Sequence, residues 1–348
     1  MLEHNCERSF YGIIAYFITQ QPCRTRSSLR HHVTVSRVGF AQRSSMFMKI
    51  GLLGGSGQVG REVITLAVSF PCEVDAPTSR DVNLIDEQAL ADWVGKGGFD
   101  AVINCAAFTA VDAAENEVKR ANLTNSVGAG YVAQACHRAS IPTVYVSTDY
   151  VFDGTKSVPY DETDQPNPQS VYGRSKLEGE RLTLSANPQS LVLRVSWVFS
   201  AHGSNFVKSM VRIAAERDDL RVVDDQIGSP CGAKSIAHAL LRVTRQLLET
   251  SEGYGVYHFA NTPFVSWRDF AVEIMSMLRD RAMLDREISV HPITTAEYPT
   301  AARRPANSCL DAGRIEQCYG IGRPGWRAEL SQVIRTLQGI ESDKGTPR

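Results

Sequence analysis

The fold is decided by the stretch Lys49-Ile50-Gly51-Leu52-Leu53-Gly54-Gly55-Ser56-Gly57-Gln58-Val59-Gly60. Its first five residues form an apolar run, and a helical pattern over 62–68 follows the glycines. A strand, a glycine turn and a helix in this order let the backbone approach a diphosphate that faces the helix N-terminus. The alternative is a merely flexible loop. We predict a phosphate-binding turn in an α/β fold with a doubly wound parallel sheet.

The spacing of the glycines, G-x-x-G-x-x-G over Gly54, Gly57 and Gly60, is typical of the short-chain dehydrogenase/reductase superfamily. We expect the second strand at about residues 73–76, followed by Pro77-Thr78-Ser79-Arg80 without an acid to bind the ribose 2′-hydroxyl of NAD. Arg80 can pair with a 2′-phosphate, although a solvated arginine looks the same in sequence. We therefore predict NADPH as cofactor, with NADH as the alternative.

Two more strands are expected to end near the cofactor. An apolar run at 101–105 breaks into the small residues Ala106 and Ala107, which would let a flat cofactor lie against backbone. The buried strand at 142–146 leads to Thr148, which lies 24 residues before Tyr172. At the carboxyl edge of such a sheet, a hydroxyl and a phenol can share a substrate carbonyl oxygen.

Tyr172 and Lys176 stand four residues apart near the start of a predicted helix, and so lie on one face of it. A free phenol titrates near pH 10, but a nearby ammonium favours the phenolate and lowers the pKa. We therefore expect Tyr172 to act as proton donor and Lys176 to tune it. The alternative is an exposed lysine beside a half-buried ring, which the same spacing also describes.

Composition excludes several classes of function. The chain has 348 residues, 43% of them hydrophobic and 22% charged, with a net charge of -1. This balance gives no global field for nucleic acid or an anionic membrane, and no run approaches the ~18 apolar residues of a membrane span. The eight cysteines are scattered without zinc spacing, which indicates reduced thiols and a cytoplasmic protein. We expect a small-molecule partner.

The chain divides by composition and pattern. Residues 1–47 are rich in arginine and serine and are expected to be a disordered extension or a misread start. Residues 48–195 are expected to form the nucleotide-binding domain, with later segments returning to it. Residues 196–340 would form mainly a substrate domain, with a helix that residues 202–207 open and that runs to about Glu216, and a turn-rich loop at 224–230. Residues 341–348 are expected to be a frayed tail.

Longer motifs narrow the resemblance from the superfamily to one family within it. Beyond the hydroxyl-Tyr-Lys triad, about residues 48 to 340 resemble the dTDP-4-dehydrorhamnose reductase family. The motifs are Asn104-Cys105-Ala106-Ala107-Phe108-Thr109-Ala110-Val111-Asp112 with Glu115, the Ser-Thr-Asp-Tyr-Val-Phe-Asp-Gly run at 147–154, Arg194-Val195-Ser196-Trp197-Val198-Phe199, and Tyr298-Pro299-Thr300-Ala301-Ala302-Arg303-Arg304-Pro305-Ala306-Asn307-Ser308.

The resemblance implies a Rossmann domain, a smaller substrate domain, and reduction of the 4-keto group of a thymidine-diphosphate sugar with NADPH or NADH. It implies that Tyr172 protonates the sugar oxygen, that Thr148 bonds the carbonyl oxygen, and that Lys176 holds the nicotinamide ribose and lowers the tyrosine pKa. It also implies a set of binding residues. The cofactor side comprises Gly54, Gly57, Gln58, Val59, Gly60, Arg80, Asn83, Leu84, Ala106, Ala107 and Phe108; the substrate side comprises Thr148, Asp149, Trp197, Asn205 and Arg303.

Two departures from related sequences bear on the predicted reaction and on metal binding. Sugar-nucleotide dehydratases carry Asp-Glu after the threonine, whereas Asp149 is followed here by Tyr150, which favours reduction over elimination. The family has also been associated with Mg²⁺ bridging two subunits. Glu62 is retained, but Lys234 stands where a second carboxylate is expected, and an ammonium repels a cation. We expect no metal there, and either a monomer or a homodimer.

Two other functions remain open on sequence alone. One is a non-catalytic regulatory subunit similar to the methionine adenosyltransferase β subunit, against which the retained triad argues. The other is reduction of a different nucleotide-linked keto sugar. Only the loops that contact the substrate discriminate between keto sugars.

Overall fold

The computed structural model describes residues 47–344, with side-chain burial described for 47–340. The predicted extension therefore lies outside the described residues, apart from Phe47. The last helix continues to Lys344, four residues into the segment predicted to be a frayed tail, and fraying there remains a prediction. The final four residues lie outside the described part of the chain.

Twelve strands are described. They are β1 (Met48–Leu53), β2 (Cys72–Asp75), β3 (Ala101–Asn104), β4 (Thr143–Thr148), β5 (Ser190–Val195), β6 (Val198–Phe199), β7 (Asp219–Val223), β8 (Ile227–Gly228), β9 (Cys231–Gly232), β10 (Gly255–His258), β11 (Val265–Ser266) and β12 (Ser289–Ile293).

Eleven α-helices connect them. They are α1 (Gln58–Ala67), α2 (Glu87–Gly97), α3 (Val111–Ala114), α4 (Val118–Asn122), α5 (Gly128–Arg138), α6 (Val171–Ala186), α7 (Phe206–Glu216), α8 (Ala233–Thr250), α9 (Trp267–Asp280), α10 (Gly313–Tyr319) and α11 (Trp326–Lys344). A π-helical turn, Leu123–Val127, joins α4 to α5. Short 3₁₀ helices occupy Asp149–Val151 and Thr295–Glu297.

The central sheet has six parallel strands in the order β10-β5-β4-β3-β1-β2. The chain starts in the middle at β1, moves to one edge at β2, and then returns across β1 to β3, β4 and β5. This reversal is the switch point at which doubly wound sheets bind ligands. The predicted α/β doubly wound parallel sheet is confirmed, and β10 is the predicted later segment that returns to it.

Helices cover both faces of the sheet because its central strands are mainly apolar and are buried on both sides, as parallel strands require. On one face, Ile50 and Leu193 share a core cluster with Val63 of α1 and Leu240 of α8. On the other face, Leu53 and Val102 pack with Leu90 of α2 and Val132 of α5. This packing fixes the carboxyl ends of β1, β3 and β4 at one edge.

A second apolar cluster lies in the later half of the chain. It joins α7, α9 and α11 around β7, which pairs in parallel with β12. Trp326 is fully buried in this cluster, and its indole N–H donates to the backbone oxygen of Pro263 at 2.8 Å. The predicted boundary between residues 195 and 196 remains a prediction.

Within the residues described, no helix is both long enough and apolar enough to span a bilayer.

Candidate active site

The glycine turn between β1 and α1 is built for close backbone approach. Gly54 has a φ of +79°, and a Cβ there would lie 2.6 Å from the backbone nitrogen of Ala106. A Cβ on Gly60 would lie 2.2 Å from the carbonyl oxygen of Gly54. Both positions therefore require glycine. The turn brings the predicted residues Gly54, Gly60 and Ala106 together.

The N-terminus of α1 is open to a ligand. Its cap residue, Gly57, is exposed and has no side chain to bond the first N–H groups, which therefore face outward as in diphosphate sites. Behind it, the side-chain oxygen of Gln58 accepts from Asn205 Nδ2 at 2.8 Å. Asn205 also caps α7 by accepting from the backbone N–H of Lys208. A predicted cofactor residue and a predicted substrate residue thus meet.

The expectation that no acid ends the second strand is wrong. The strand spans Cys72–Asp75, one residue earlier than predicted, and its last residue is Asp75. Its carboxylate is exposed and accepts from the indole N–H of Trp93 at 3.0 Å. Arg80 is exposed five residues later. The sheet edge therefore offers both a carboxylate that can accept from a ribose hydroxyl and a guanidinium that can pair with a phosphate.

Two groups of residues predicted to bind the cofactor lie outside this turn: Asn83 with Leu84, and Phe108. Asn83 and Leu84 line a cavity of about 650 Å³ together with Arg120 of α4. Phe108 is fixed by the amide side chain of Asn125, which accepts from the Phe108 N–H at 2.7 Å and donates to its oxygen at 3.1 Å. The cavity is of the size that suits a small ligand group.

Tyr172 is placed by a well-capped helix start. The Ser170 hydroxyl accepts from the Gly173 N–H at 3.1 Å, and Glu115 accepts from the Val171 N–H at 2.8 Å. These bonds satisfy the first turn of α6. The phenol is buried, its ring packs edge-to-face on Tyr150, and the Thr148 side chain lies near enough to act on its pKa. The predicted pair of hydroxyls does come together.

Contrary to the prediction, Lys176 is not among the groups that shift the pKa of Tyr172. Burial raises this pKa, and the nearby Thr148 side chain offsets only part of that effect. The ammonium of Lys176 instead donates to Tyr145 Oη and to the Val146 carbonyl, both at 2.7 Å. Burial lowers the pKa of Lys176 itself to about 7, with Glu180 acting against this shift.

Asp149 follows Thr148 and is also buried. Its Oδ1 accepts from the Thr148 hydroxyl at 2.9 Å, while Oδ2 is buried without a hydrogen-bond partner among the described residues. Burial raises the pKa of this carboxyl to about 6. An unpaired buried oxygen is costly, so this atom is free to accept from a ligand hydroxyl.

Trp197 lies in the left-handed region, with a φ of +42°. Its indole stacks on Trp267 with ring centroids 3.5 Å apart and planes 8° from parallel. Gly228 leaves room for it, since a Cβ there would lie 2.4 Å from the indole. The sequence does not reveal this role of Trp267, because nothing in the helical pattern of its segment distinguishes the residue from core.

The arginine loop, residues 298–308 with Arg303 and Arg304, is anchored to an earlier part of the chain. Arg304 is not free to clamp a diphosphate, because it forms a bidentate pair with Asp112 at 2.7 and 3.2 Å. Arg303 is exposed beside it and remains the predicted substrate contact.

The two positions weighed for a metal are held by protein contacts. The Glu62 carboxylate lies 3.8 Å from His202 Nε2. The backbone N–H of Lys234 donates to Glu329 at 2.7 Å, and its ammonium to Gln332 at 3.3 Å. Across the described chain, no group of three or more His, Cys, Asp or Glu residues is arranged to hold a metal.

Comparison with known proteins places the chain in a family. Residues 48–338 match the family model described as RmlD substrate binding domain. A dTDP-4-dehydrorhamnose reductase of Aggregatibacter actinomycetemcomitans is 43% identical over 285 residues, covering 81% of this chain and 97% of that protein.

Solved structures agree. A dTDP-4-dehydrorhamnose reductase of Clostridium acetobutylicum, 35% identical, superposes with a TM-score of 0.77 over 84% of this chain and 100% of that one. The Bacillus anthracis reductase in complex with NADP is 31% identical, with a TM-score of 0.76 over 84% of this chain and 100% of its own. The chain therefore belongs to the RmlD substrate binding domain family, the family of the dTDP-4-dehydrorhamnose reductases.

Proposed function

We propose that this chain reduces the C4 ketone of dTDP-4-dehydro-β-L-rhamnose to give dTDP-L-rhamnose, the last step of dTDP-L-rhamnose synthesis. The observation that carries the proposal is the proximity of the Tyr172 and Thr148 side chains at the carboxyl end of β4. Two hydroxyls there can converge on one carbonyl oxygen beside a dinucleotide turn. The 43% identical relative carries the same activity in its name.

The proton comes from Tyr172. Its raised pKa keeps the phenol protonated at neutral pH, so it can donate a proton to an oxygen that gains negative charge. The Thr148 hydroxyl steadies the same oxygen, while the nicotinamide, when bound, supplies the hydride. Bulk solvent then reprotonates Tyr172. A pure binding module needs none of these groups, which argues against the regulatory-subunit alternative.

The residue after Asp149 supports reduction over elimination. Tyr150 stands where dehydratases carry a glutamate, and its ring packs edge-to-face on Tyr172 at 5.5 Å between centroids. Burial raises the pKa of Tyr150, so this phenol is a poor base at neutral pH. The acid and base pair that removes water is therefore incomplete.

The residues of the turn fit a dinucleotide cofactor. The Gly54 and Gly60 cradle would be filled by a Cβ, and the N-terminus of α1 is uncapped by side chains, so both suit a diphosphate. The chain is an NAD(P)-dependent oxidoreductase by family. NADPH is the proposed donor through Arg80, and Asp75 at the end of β2 supports use of NADH as well.

The nucleotide sugar would lie between Asp149, Trp197 and the arginine loop. Asp149 Oδ2 would accept from a sugar hydroxyl, since it has no partner among the described residues. The stacked indoles of Trp197 and Trp267 offer a flat apolar wall, and exposed Arg303 offers a charge for the diphosphate. A cytoplasmic location, and a monomer or homodimer as the assembly, complete the proposal.

The test is the loss of reduced-cofactor absorbance when purified protein and NADPH meet freshly generated dTDP-4-dehydrorhamnose. Tyr172→Phe is assayed beside the wild type, and cofactor binding is measured for both by fluorescence. Turnover by the wild type, slowed in the variant by roughly a hundredfold with cofactor binding kept, supports the proposal. Tight cofactor binding without turnover of this sugar contradicts it and directs the search to other keto sugars.

A further inference from the structure

The Lys176 ammonium has an acceptor that the reaction itself does not require. The side chain is 2% exposed, and two of its three N–H groups donate to Tyr145 Oη and to the Val146 carbonyl, each at 2.7 Å. The nitrogen also lies 3.9 Å from the centroid of the Tyr145 ring. Hydroxyl and ring together fix where the charge sits, and one N–H remains for another acceptor.

The Tyr145 hydroxyl is itself held in place. It is 1% exposed and donates to the backbone oxygen of Asn125 at 2.9 Å, which turns its lone pairs toward Lys176. Asn125 lies in the π-helical turn, and its side chain bonds both Phe108 of the cofactor wall and the Ser175 hydroxyl on α6. Because the path ends on a backbone carbonyl, it holds the ammonium but offers no exit for a proton.

The helix that carries Lys176 makes room for this junction. Gly179 lies in the interior of α6, where glycine is unfavourable. A Cβ there would lie 2.1 Å from the Asn125 oxygen and 2.6 Å from Tyr145 Oη. Any other residue would push the two partners apart, so the glycine permits the contact between strand β4, the π-helical turn and α6.

We propose that Tyr145 is a positioning residue that seats the Lys176 ammonium and aims its remaining N–H at the bound cofactor. This role rests on the reductase function proposed above. Tyr145 contacts neither substrate nor cofactor in this account and acts through Lys176.

The charge of Lys176 responds to several groups. Glu180 faces it from its own helix, Cys105 faces it from the loop after β3, and Tyr145 from β4. Glu180 is paired with Arg194 of β5, whose Nη2 lies 2.7 Å from its Oε2. Burial already brings the pKa of Lys176 to about 7. Removing an acceptor disfavours the charged form further, so the pKa falls.

The first test is a pH titration of selectively ¹³C-lysine-labelled protein, followed at the lysine Cε resonances. Tyr145→Phe keeps the ring and removes only the hydroxyl. Tyr257→Phe is the matched control, a buried tyrosine on β10 of the same sheet. We expect the Lys176 pKa to fall by about one unit in Tyr145→Phe and to stay unchanged in the control, since a hydrogen bond to a charged group of this kind is worth at least that much.

A second variant separates the acceptor from mere packing. Tyr145→His offers a ring nitrogen to Lys176 and is expected to keep the pKa nearer to that of the wild type than Tyr145→Phe does. It is also the fallback should Tyr145→Phe fail to fold. The proposal is overturned if the Lys176 pKa is unchanged in Tyr145→Phe, or if it falls equally in Tyr145→Phe and Tyr145→His.

Turnover supplies an independent readout. In Tyr145→Phe the basic limb of the kcat profile is expected to move to lower pH by about one unit, with KM for the cofactor raised several-fold. A profile that keeps its shape at a lower amplitude contradicts a positioning role. The lysine titration needs no substrate, so a wild type that fails to reduce the sugar would refute the proposed function and leave the test of Tyr145 intact.

Discussion

Arg304 donates two hydrogen bonds to the carboxylate of Asp112, a residue 192 positions earlier in the chain, with Nη2 2.7 Å from Oδ2 and Nη1 3.2 Å from Oδ1. Asp112 also accepts from the Ala302 N–H at 3.0 Å. The pair therefore ties the loop at 298–308 to helix α3, beside the predicted site. Planar two-point pairing of this kind is specific to arginine.

Arg304→Lys is expected to loosen that loop. A lysine keeps the charge but loses the second bond, so KM for the nucleotide sugar should rise several-fold with little change in cofactor binding. Limited proteolysis should show faster cleavage within 298–308. Arg221→Lys, in an exposed pair with Glu297, is the control and should change neither readout. Equal behaviour of the two variants would contradict the anchoring role.

The same pair predicts a pH effect of defined sign. Arg304 holds the pKa of Asp112 below its ordinary value. A lowered carboxyl pKa contributes stability above the unfolded-state value of about 4, and that stability is lost as pH falls through the folded-state value. Asp112 is partly exposed, so the effect is reduced by solvent screening. Protection of the loop from protease should therefore weaken as the pH falls below about 4.

Gly60→Ala is expected to damage the phosphate turn. The added methyl would meet the Gly54 oxygen at 2.2 Å, so the backbone must shift, and cofactor affinity should fall at least tenfold. Gly95→Ala is the matched control, because nothing lies within 4 Å of its Cβ position and it sits in helix α2. There we expect equal or slightly higher thermal stability. Unchanged cofactor binding in Gly60→Ala would argue against the cradle.

Cofactor preference should respond to Asp75 and Arg80 in opposite directions. Asp75→Asn removes an acceptor for the ribose hydroxyls and the repulsion of a 2′-phosphate, so it should raise the ratio of kcat/KM for NADPH to that for NADH. Arg80→Ala should lower the same ratio. Changes of about three- to tenfold are expected at these exposed positions. A ratio that neither substitution moves would place the discrimination elsewhere.

Asp149 predicts a stability effect at neutral pH. Its folded-state pKa of about 6 lies above the ordinary value, so the native state binds more protons than the unfolded state between about pH 4 and pH 6. Stability therefore falls as pH rises through that window, by an amount on the order of 3 kcal/mol. Asp149→Asn should unfold at a higher temperature than the wild type at pH 8, with the difference shrinking below pH 4.

Asp285→Asn provides the control for this prediction, because that carboxylate is 94% exposed. It should leave the thermal midpoint within a degree or two across the whole range. An Asp149→Asn curve that parallels the wild type at every pH would show that the burial of this carboxyl carries no net cost.

Much of the fold follows from local pattern. The apolar run at 49–53, the glycine spacing and the predicted helix that carries Tyr172 identify β1, the turn and α6, because each depends on neighbouring residues. Helix α7 begins at Phe206, within the stretch expected to open it, and ends at Glu216 as predicted. Triad members Thr148 and Tyr172 meet because parallel strands deliver their ends to one edge.

The errors arise where one residue or a distant partner decides. Because β2 ends at Asp75 rather than Ala76, an acid stands at the end of the strand beside the cofactor site. Strand ends assigned by different criteria differ by one or two residues. Lys176 bonds to Tyr145, 31 residues earlier, and Arg304 to Asp112, 192 residues earlier. Spacing within a helix or a loop carries no information on such partners, nor on the stacking of Trp267 against Trp197.

The most direct measurement of the central claim is the fate of deuterium from NADPH deuterated at the transferable position. The product formed from dTDP-4-dehydrorhamnose is analysed by mass spectrometry and NMR. Tyr172, Thr148 and the cofactor turn as described predict one deuterium at C4 of dTDP-L-rhamnose for each NADPH oxidised. Oxidation of the cofactor without deuterium at C4, or no oxidation by a protein that binds NADPH, would contradict the assignment of this chain as the reductase.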